Sequence, residues 1–345
     1  MGSGTRLGSG LLGGLLAMMA ALAALPALAA DSAVVFMYHR FGDGRYPSTN
    51  ITLEQFEAHI RELTSGAYTV WPLARIVAHV RDGQPLPDRT VGISIDDAYL
   101  SVYTEAWPRL KAAGLPFTLF VSTDHADGKQ GGGYMTWDQI RELSRAGVTI
   151  GHHTASHLHM PDADDARLRD EITQATARYE AELGLRPELF AYPYGEASLA
   201  VERLVRQAGF IGAFGQHSGA MGPQDDPHYL PRFALNEHYG DMDRFRLAAN
   251  TIDLPATDLT PEDHLVTDAN PPAVGFTVTP PMKGLGNITC YASGQGKVAA
   301  TVLGDTRVEV RMTQAFPQGR TRVNCTLPAG QGRWYWLGRQ FYVPH

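Results

Sequence analysis

The stretch Gly151 to His157, which reads GHHTASH, decides how this chain is organised. It follows a short β-branched run and contains three of the histidines that cluster before residue 160. His153 and His157 are four residues apart, so their neutral imidazoles can converge on one metal ion where the chain turns after a strand. Two imidazoles do not hold a divalent ion firmly, so the spacing predicts a carboxylate ligand at the end of another strand.

The pair Asp96-Asp97 supplies that carboxylate, because it closes the apolar run of residues 91–95. An ion held by Asp97, His153 and His157 keeps positions open for water and substrate, which is typical of a catalytic rather than a structural site. Such an ion suits hydrolysis of an amide or ester, and Asp96 is then free to act as general base. The alternative is that Asp97 only caps a helix or lies on the surface.

Short β-branched or aromatic runs alternate with amphipathic helical patterns between residues 33 and 250. This alternation predicts an α/β fold with a parallel sheet, and seven or eight units favour a (β/α) barrel over an open sheet. Functional groups of such barrels lie where strands end. The predicted strands are 34–38, 68–71, 91–95, 117–121, 148–150, 189–192 and 210–214; the predicted helices are 53–63, 73–80, 102–112, 137–144, 166–183 and 200–207.

The helical pattern disappears in the last quarter of the chain. Residues 251–272 are rich in Pro, Asp and Thr and are predicted to be a linker. Residues 273–345 contain six short strand patterns separated by turns, which predicts a small C-terminal antiparallel β-sandwich. The aromatic residues 334–336 form either a sugar-stacking platform or, more in keeping with small domains, part of a core or of the contact with the barrel.

The N-terminus and the cysteines indicate export. Arg6, an apolar stretch over 11–25 and small residues at 27–29 predict a signal peptide over residues 1–30, leaving residues 31–250 as the barrel domain. An uncleaved membrane anchor is the alternative; after removal of the signal no membrane span is expected. Cys290 and Cys325 are then expected to pair, with two free buried thiols as the alternative. The net charge of -7 argues against a nucleic-acid partner.

Three motifs resemble one enzyme family. Residues 92–99, GISIDDAY, are similar to its Asp-Asp motif, residues 153–157, HTASH, to its His-x-x-x-His motif, and residues 191–195, AYPYG, to its Pro-Tyr motif. The family is that of the polysaccharide deacetylases (NodB-homology, carbohydrate esterase family four). The resemblance covers residues 33 to about 250 and implies a distorted (β/α) barrel and a metal-dependent hydrolase that removes acetyl groups from N-acetylated sugars. Zn²⁺ is the expected ion, with Co²⁺ and Ni²⁺ as the alternatives. The resemblance also implies that the Tyr194 backbone N–H stabilises the oxyanion.

The chain departs from the family pattern at three places. Ala98 replaces the glycine that follows the aspartates. Ala191 replaces the arginine of the third motif, so Arg232 is our candidate for orienting Asp96. The last motif, an apolar strand that ends in a histidine, is absent near the end of the barrel.

Residues 34–39, VVFMYH, have the form of that missing motif at the start of the chain. The first and last strands of a closed barrel are neighbours, so a circular permutation would make His39 the general acid, as in the poly-N-acetylglucosamine deacetylase branch that this N-terminus resembles. His125 and His217 are rival candidates, and the alternative for His39 is a strand-end histidine without a catalytic role. His152 and His159 are expected to lie outside the metal site.

Two other classes of function are weighed against the hydrolase. A non-haem iron oxygenase also uses two histidines and one carboxylate, but on an antiparallel jelly-roll. A non-catalytic glycan-binding protein built on a deacetylase barrel would not need a base beside its ligand. The sequence leaves open the polymer, the metal and the oligomeric state.

Overall fold

The structure of the protein is a computed structural model, and it describes residues 1–2, 4 and 29–345. The apolar segment of the predicted signal, residues 11–25, lies outside the described residues, so the signal stays a prediction. Within the described ranges, no helix is both long enough and apolar enough to cross a membrane.

The larger part of the described chain alternates strands and helices. The predicted strands and helices of this part are found with ends that differ by no more than two residues. The strands are β1 (Ala29–Ala30), β2 (Ala33–Tyr38), β3 (Arg40–Phe41), β4 (Asn50–Ile51), β5 (Thr69–Val70), β6 (Leu86–Pro87), β7 (Thr90–Asp96), β8 (Thr118–Val121), β9 (Thr149–His152), β10 (Leu189–Ala191), β11 (Gly212–Phe214), β12 (Ala220–Met221) and β13 (Phe233–Ala234).

The helices of this part carry local signals that explain their ends. Thr52 and Thr136 each begin a helix with a capping box to the glutamine three residues later. The helix predicted over 102–112 is instead a π-helical turn, Val102–Ala106, followed by α3, because Pro108 has no N–H to continue the ladder. The α-helices are α1 (Leu53–Leu63), α2 (Leu73–Arg81), α3 (Trp107–Ala112), α4 (Thr123–Ala126), α5 (Trp137–Arg145), α6 (Asp165–Leu183), α7 (Leu199–Gln207) and α8 (Met242–Ala249).

Nine of the strands form one sheet with the order β11-β10-β9-β8-β7-β2-β12, in which β5 also pairs with β7 and β13 with β2. The run from β11 to β2 is parallel, and β2 and β7 are buried along their whole lengths, as expected for strands covered on both faces. This arrangement differs from the antiparallel jelly-roll that the oxygenase alternative requires.

The sheet curls until its two ends meet. Leu230 exchanges backbone hydrogen bonds with Ala213 and Gly215 beside β11, and a few residues later β13 pairs in parallel with β2. The segment 230–234 therefore connects the last and the first strands of the parallel run. The predicted barrel-like α/β fold is confirmed, and the carboxyl ends of all its parallel strands point to one face.

The C-terminal part is a separate eight-stranded sheet, which agrees with the predicted antiparallel class. Its order is β14-β21-β20-β17-β18-β19-β16-β15, and it encloses its own apolar core. All neighbours are antiparallel except β14 and β21. The strands are β14 (Ile252–Asp253), β15 (Ala256–Thr260), β16 (Val274–Val278), β17 (Thr289–Ala292), β18 (Gly296–Leu303), β19 (Arg307–Arg311), β20 (Gly319–Gly330) and β21 (Arg333–Val343).

Two predictions about this part have different outcomes. The predicted linker over 251–272 is wrong in its secondary structure, because β14 and β15 lie within it and pair with β21 and β16. Pairing to distant strands overrides the local Pro and Asp content there, while the division of the chain into domains stays a prediction. Cys290 and Cys325 form the expected disulfide, directly opposite each other on β17 and β20.

The strand β21 joins the two sheets. Trp336 packs edge-on against Phe233 of β13, with ring centroids 5.2 Å apart, which agrees with a packing role for this aromatic. Two residues later, a Cβ atom at Gly338 would lie 1.9 Å from the carbonyl oxygen of Ser218. Only glycine permits this close approach of two backbones.

We therefore expect Gly338→Ala to lower the free energy of unfolding by about 1–3 kcal/mol, because the added methyl group meets backbone that cannot move aside. Gly286→Ala in the same part of the chain is the matched control, since a Cβ there has no neighbour within 4 Å. Thermal unfolding of both variants checks the prediction, and equal melting temperatures would contradict it.

Candidate active site

The three predicted metal ligands meet at the carboxyl ends of β7 and β9. Asp97 follows β7, and its Oδ1 lies 3.3 Å from Nε2 of His153 and 3.2 Å from Nε2 of His157. One candidate ligand atom from each residue lies within 4.8 Å of the other two, which makes this a group able to hold a metal ion. The order of the strands in the sheet thus brings together Asp97, His153 and His157, the three residues that the sequence predicted as metal ligands.

The orientation of His153 suits a metal ligand. Its Nδ1 donates a hydrogen bond to the carbonyl of Ala191, 2.6 Å away, so the lone pair is on Nε2. That Nε2 and Oδ1 of Asp97 are buried and have no hydrogen-bond partner among the described residues. Buried polar atoms are nearly always paired, so two such atoms that face each other fit a missing cation.

The backbone around the ligands is unusual. Asp97, Ala98, Thr154, His157 and Tyr194 all have φ between 53° and 72°, in the left-handed region. Non-glycine residues in this region cost free energy and cluster at functional sites. Ala98 thus adopts the turn for which the family pattern has glycine.

The loop that carries His157 is held by a carboxylate that sequence reasoning missed. Glu171 of α6 is buried and accepts hydrogen bonds from the backbone N–H groups of Ala155 and Ser156, at 3.0 and 2.8 Å. Glu171 lies among many other charged residues on the long helix α6, so nothing in the local sequence distinguishes it from an exposed residue.

Asp96 and Arg232 form a wholly buried ion pair. Nη1 and Nη2 of Arg232 donate to the two carboxylate oxygens of Asp96 at 2.7 and 2.9 Å, and neither side chain is exposed. Arg232 is itself held by the Gly215 carbonyl and by the Ser94 hydroxyl. Burial alone would raise the pKa of Asp96, but the charges of Arg232, His153 and His39, together with the Arg232 hydrogen bonds, hold that pKa below its usual value. The structure thus places Arg232 where the sequence predicted a partner for Asp96.

His39 faces this pair from the end of β2. Its Nε2 lies 4.0 Å from Oδ2 of Asp96, and its side chain is 14% exposed. Burial lowers the pKa of His39, although the carboxylates of Asp97 and Asp96 oppose the shift.

The two rival histidines lie in different places. The His125 ring is 5.7 Å from that of His157 and stacks on Tyr134, so it borders the metal group. His217 is buried against Tyr229 on the side of the C-terminal sheet. Burial, reinforced by the Arg339 charge, lowers the pKa of His217 to about 3.

The remaining predicted positions also have clear environments. Tyr194 follows β10 in the turn Pro193–Gly195, and its ring meets that of His157 edge-on at 4.4 Å. His152 is buried among aromatic side chains on the other face of the sheet, as expected. His159 is not a ligand, but its ring stacks on that of Tyr194 at 4.2 Å.

A groove of about 740 Å³ lies beside the metal group. The guanidinium of Arg40, the residue after His39, lies 3.5 Å above the Tyr99 ring and 4.0 Å above that of Tyr46. Tyr99 stacks on Tyr134, which in turn stacks on His125. Arg40 and these rings thus form one stacked cluster along the wall of the groove, and sequence reasoning missed it because Tyr46, Tyr99 and Tyr134 lie on three different loops.

The comparisons with known proteins point to one family. Residues 83–213 match the family model described as polysaccharide deacetylase. The Bacillus subtilis (strain 168) protein YxkH, named as a polysaccharide deacetylase, is 24% identical over 59% of this chain and 71% of its own length. The poly-beta-1,6-N-acetyl-D-glucosamine N-deacetylase of Staphylococcus aureus (strain MSSA476) is 21% identical over 59% of this chain and 73% of its own.

A solved structure supports the same relationship. The structure of IcaB from Ammonifex degensii is 27% identical, has a TM-score of 0.56, and is covered to 96% by 64% of this chain. The Streptococcus pyogenes deacetylase PplD, at 15% identity and a TM-score of 0.56, shows the same fold.

If the Asp-His-His group holds an ion, we expect Asp97→Ala to remove it, because two imidazoles alone bind a divalent ion weakly. Bound zinc, measured by mass spectrometry after dialysis, should fall from about one ion per chain to near zero. Asp96→Asn is the control: its side chain pairs with Arg232, so metal content should persist. Full metal content in Asp97→Ala would place the ion elsewhere.

Proposed function

We propose that this chain, a polysaccharide deacetylase, is a metal-dependent hydrolase that releases acetate from N-acetylglucosamine-type units of an extracytoplasmic polysaccharide. The observation that carries the proposal is the juxtaposition of two groups: Asp97 with His153 and His157, and Asp96 with Arg232. A ligand set with open positions beside a second, separately held carboxylate suits hydrolysis of an amide.

Asp97, His153 and His157 would hold the ion, and their mixed nitrogen and oxygen donors suit Zn²⁺. When bound, a divalent ion lowers the pKa of water and polarises a carbonyl oxygen. The ligand atoms are buried or nearly so, which strengthens such electrostatic effects by excluding bulk water.

Asp96 is the proposed general base. Its pKa lies below the usual value, so it is ionised at neutral pH and able to accept a proton from the attacking water. Arg232 fixes both carboxylate oxygens, which leaves Asp96 with one orientation. Arg232 is therefore a positioning residue in this mechanism.

Two groups complete the reaction. The backbone N–H of Tyr194 donates to the oxyanion that develops on the acetamide carbonyl. His39, in its protonated form, delivers a proton to the departing sugar amine; the neighbouring carboxylates of Asp97 and Asp96 favour that form against the effect of burial. The adjacent groove, which Tyr46, Tyr99 and Tyr134 line, would hold neighbouring sugars of the polymer.

The likeness to the Staphylococcus aureus protein favours poly-β-1,6-N-acetylglucosamine as the polymer. The predicted signal and the disulfide Cys290–Cys325 favour an exported enzyme, since disulfides persist in oxidising compartments. Peptidoglycan, chitin fragments and acetylated xylan are the other polymers to test.

We expect the chain from Ala30 onward to release acetate from N-acetylglucosamine oligomers, most rapidly from those with β-1,6 linkages. A chelator should stop the release and added Zn²⁺ should restore it. Acetate is measured enzymatically across a panel of oligomers and polymers. No release from any member, with one ion bound per chain, would contradict the proposed substrate.

We expect His39→Ala to lower kcat by about 10²–10⁴-fold, the usual contribution of a general acid, with metal content unchanged. His217→Ala is the comparison variant, since His217 lies against Tyr229 rather than at the carboxylates. His125→Ala tests the second rival. Full activity in His39→Ala would remove His39 from the mechanism.

A further inference from the structure

The turn that presents the Tyr194 N–H is not supported by the barrel alone. Tyr194 and Gly195 have φ of 58° and 69°, so two successive residues lie in the left-handed region. For tyrosine this conformation costs free energy, because the Cβ atom comes close to the following carbonyl oxygen. A conformation of this cost persists only where surrounding groups fix it.

Two residues of the C-terminal sheet supply that support. Nε2 of Gln340 donates hydrogen bonds to the carbonyls of Tyr194 and Gly195, at 3.1 and 2.7 Å. Nη1 of Arg320 donates to the same Tyr194 carbonyl at 3.0 Å. From the barrel, the Tyr229 hydroxyl donates to the Gly195 carbonyl at 2.7 Å. Three of these four hydrogen bonds therefore come from β20 and β21.

Gln340 is buried, and Arg320, although partly exposed, makes further contacts around the turn. Gln340 is 1% exposed in the middle of β21, where it pairs with Arg322 of β20. Nη1 of Arg320 also donates to Oε1 of Gln216 at 3.1 Å, and its Nε lies 3.6 Å from the buried carboxylate of Glu196.

Arg320 of the C-terminal sheet is also linked to the side chain of Tyr194 through two residues of the barrel. Glu196 accepts a hydrogen bond from Nδ1 of His159 at 2.7 Å, and the His159 ring stacks on the Tyr194 ring. Arg320 thus reaches the backbone of Tyr194 directly and its ring through Glu196 and His159. Contacts on both sides restrict the turn to one orientation.

We propose that Gln340 and Arg320 are positioning residues, which hold the Tyr194–Gly195 backbone so that the Tyr194 N–H faces the reacting carbonyl; this inference rests on the proposed function. The Pro193 ring restricts the backbone on one side of that N–H. The hydrogen bonds to the two carbonyls restrict it on the other side. The C-terminal sheet is accordingly part of the catalytic unit.

The alternative is that the sheet only covers and stabilises the barrel. Arg333, at the other end of β21, makes contacts of the same kind: its Nε donates to the Asn250 carbonyl and its Nη1 to Asp88, both at 2.8 Å. Those contacts join the sheet to the barrel away from the turn. Arg333→Ala is therefore the matched control for a purely stabilising role.

The first test compares Gln340→Ala with Arg333→Ala in the full chain. We expect Gln340→Ala to lower kcat by about 10–100-fold, which does not exceed the fall in kcat that follows removal of an oxyanion donor. Its KM should stay within about threefold of wild type, and its metal content should be unchanged. Arg333→Ala should keep kcat within about threefold of wild type, even where it lowers the melting temperature. Equal kcat losses in both variants, or none in Gln340→Ala, would overturn the inference.

A second set of variants separates positioning from stability and serves if Gln340→Ala does not fold. Gln340→Glu keeps the size of the side chain but can donate a hydrogen bond only when protonated. We expect its kcat, as a ratio to wild type at each pH, to rise as the pH falls. Arg320→Lys should retain more kcat than Arg320→Met, because lysine keeps a donor. The inference would be overturned if the kcat ratio of Gln340→Glu to wild type did not change with pH and the two Arg320 variants had equal kcat.

Failure of the proposed function gives a different result. In that case wild type itself releases no acetate from the panel, whatever the variants do. Acetate release by wild type with unchanged kcat in the Gln340 and Arg320 variants contradicts the positioning role alone.

Discussion

The buried ion pair between Arg232 and Asp96 is the interaction on which the rest of the structure depends. Two charges without solvent exposure are stable only when their hydrogen bonds are complete, and removal of one partner leaves an unpaired buried charge. Arg232 lies beside β13, Asp96 ends β7, and the Gly215 carbonyl that accepts from Arg232 follows β11. The pair therefore requires that the last segment of the barrel returns to its first strands.

This closure also explains the order of the proposed catalytic groups along the chain. His39 directly follows β2, which pairs with β7 on one side and with β13 on the other. A histidine at the beginning of the chain thus faces a base held by an arginine from near the end of the barrel. The C-terminal sheet also brings residues distant in sequence to the site. Its strand β21 contacts Phe233, which is next to Arg232, and it donates a hydrogen bond to the Tyr194 carbonyl.

Local patterns predicted most of the elements and the metal group. His153 and His157 have a characteristic spacing, and Asp97 follows a fully buried strand, so the parallel strands bring these residues to one edge of the sheet. Arg232 was predicted as the partner of Asp96 because the usual arginine position is Ala191.

Other contacts have no such signal. The strands β13, β14 and β15 are short and form through pairing with distant strands, and Glu171, Arg320 and Gln340 act across large sequence separations. Residue type and periodicity do not report such separations, because the partner lies outside any local window. The residues that hold the site loops in place could therefore be identified only from the three-dimensional structure.

The most direct test of the account is a stepwise return of Zn²⁺ to the metal-free enzyme, with bound zinc and acetate release measured on the same samples. The account predicts a rate that rises in proportion to bound zinc and stops rising at about one ion per chain. Acetate release at the full rate from chain without bound metal would contradict it.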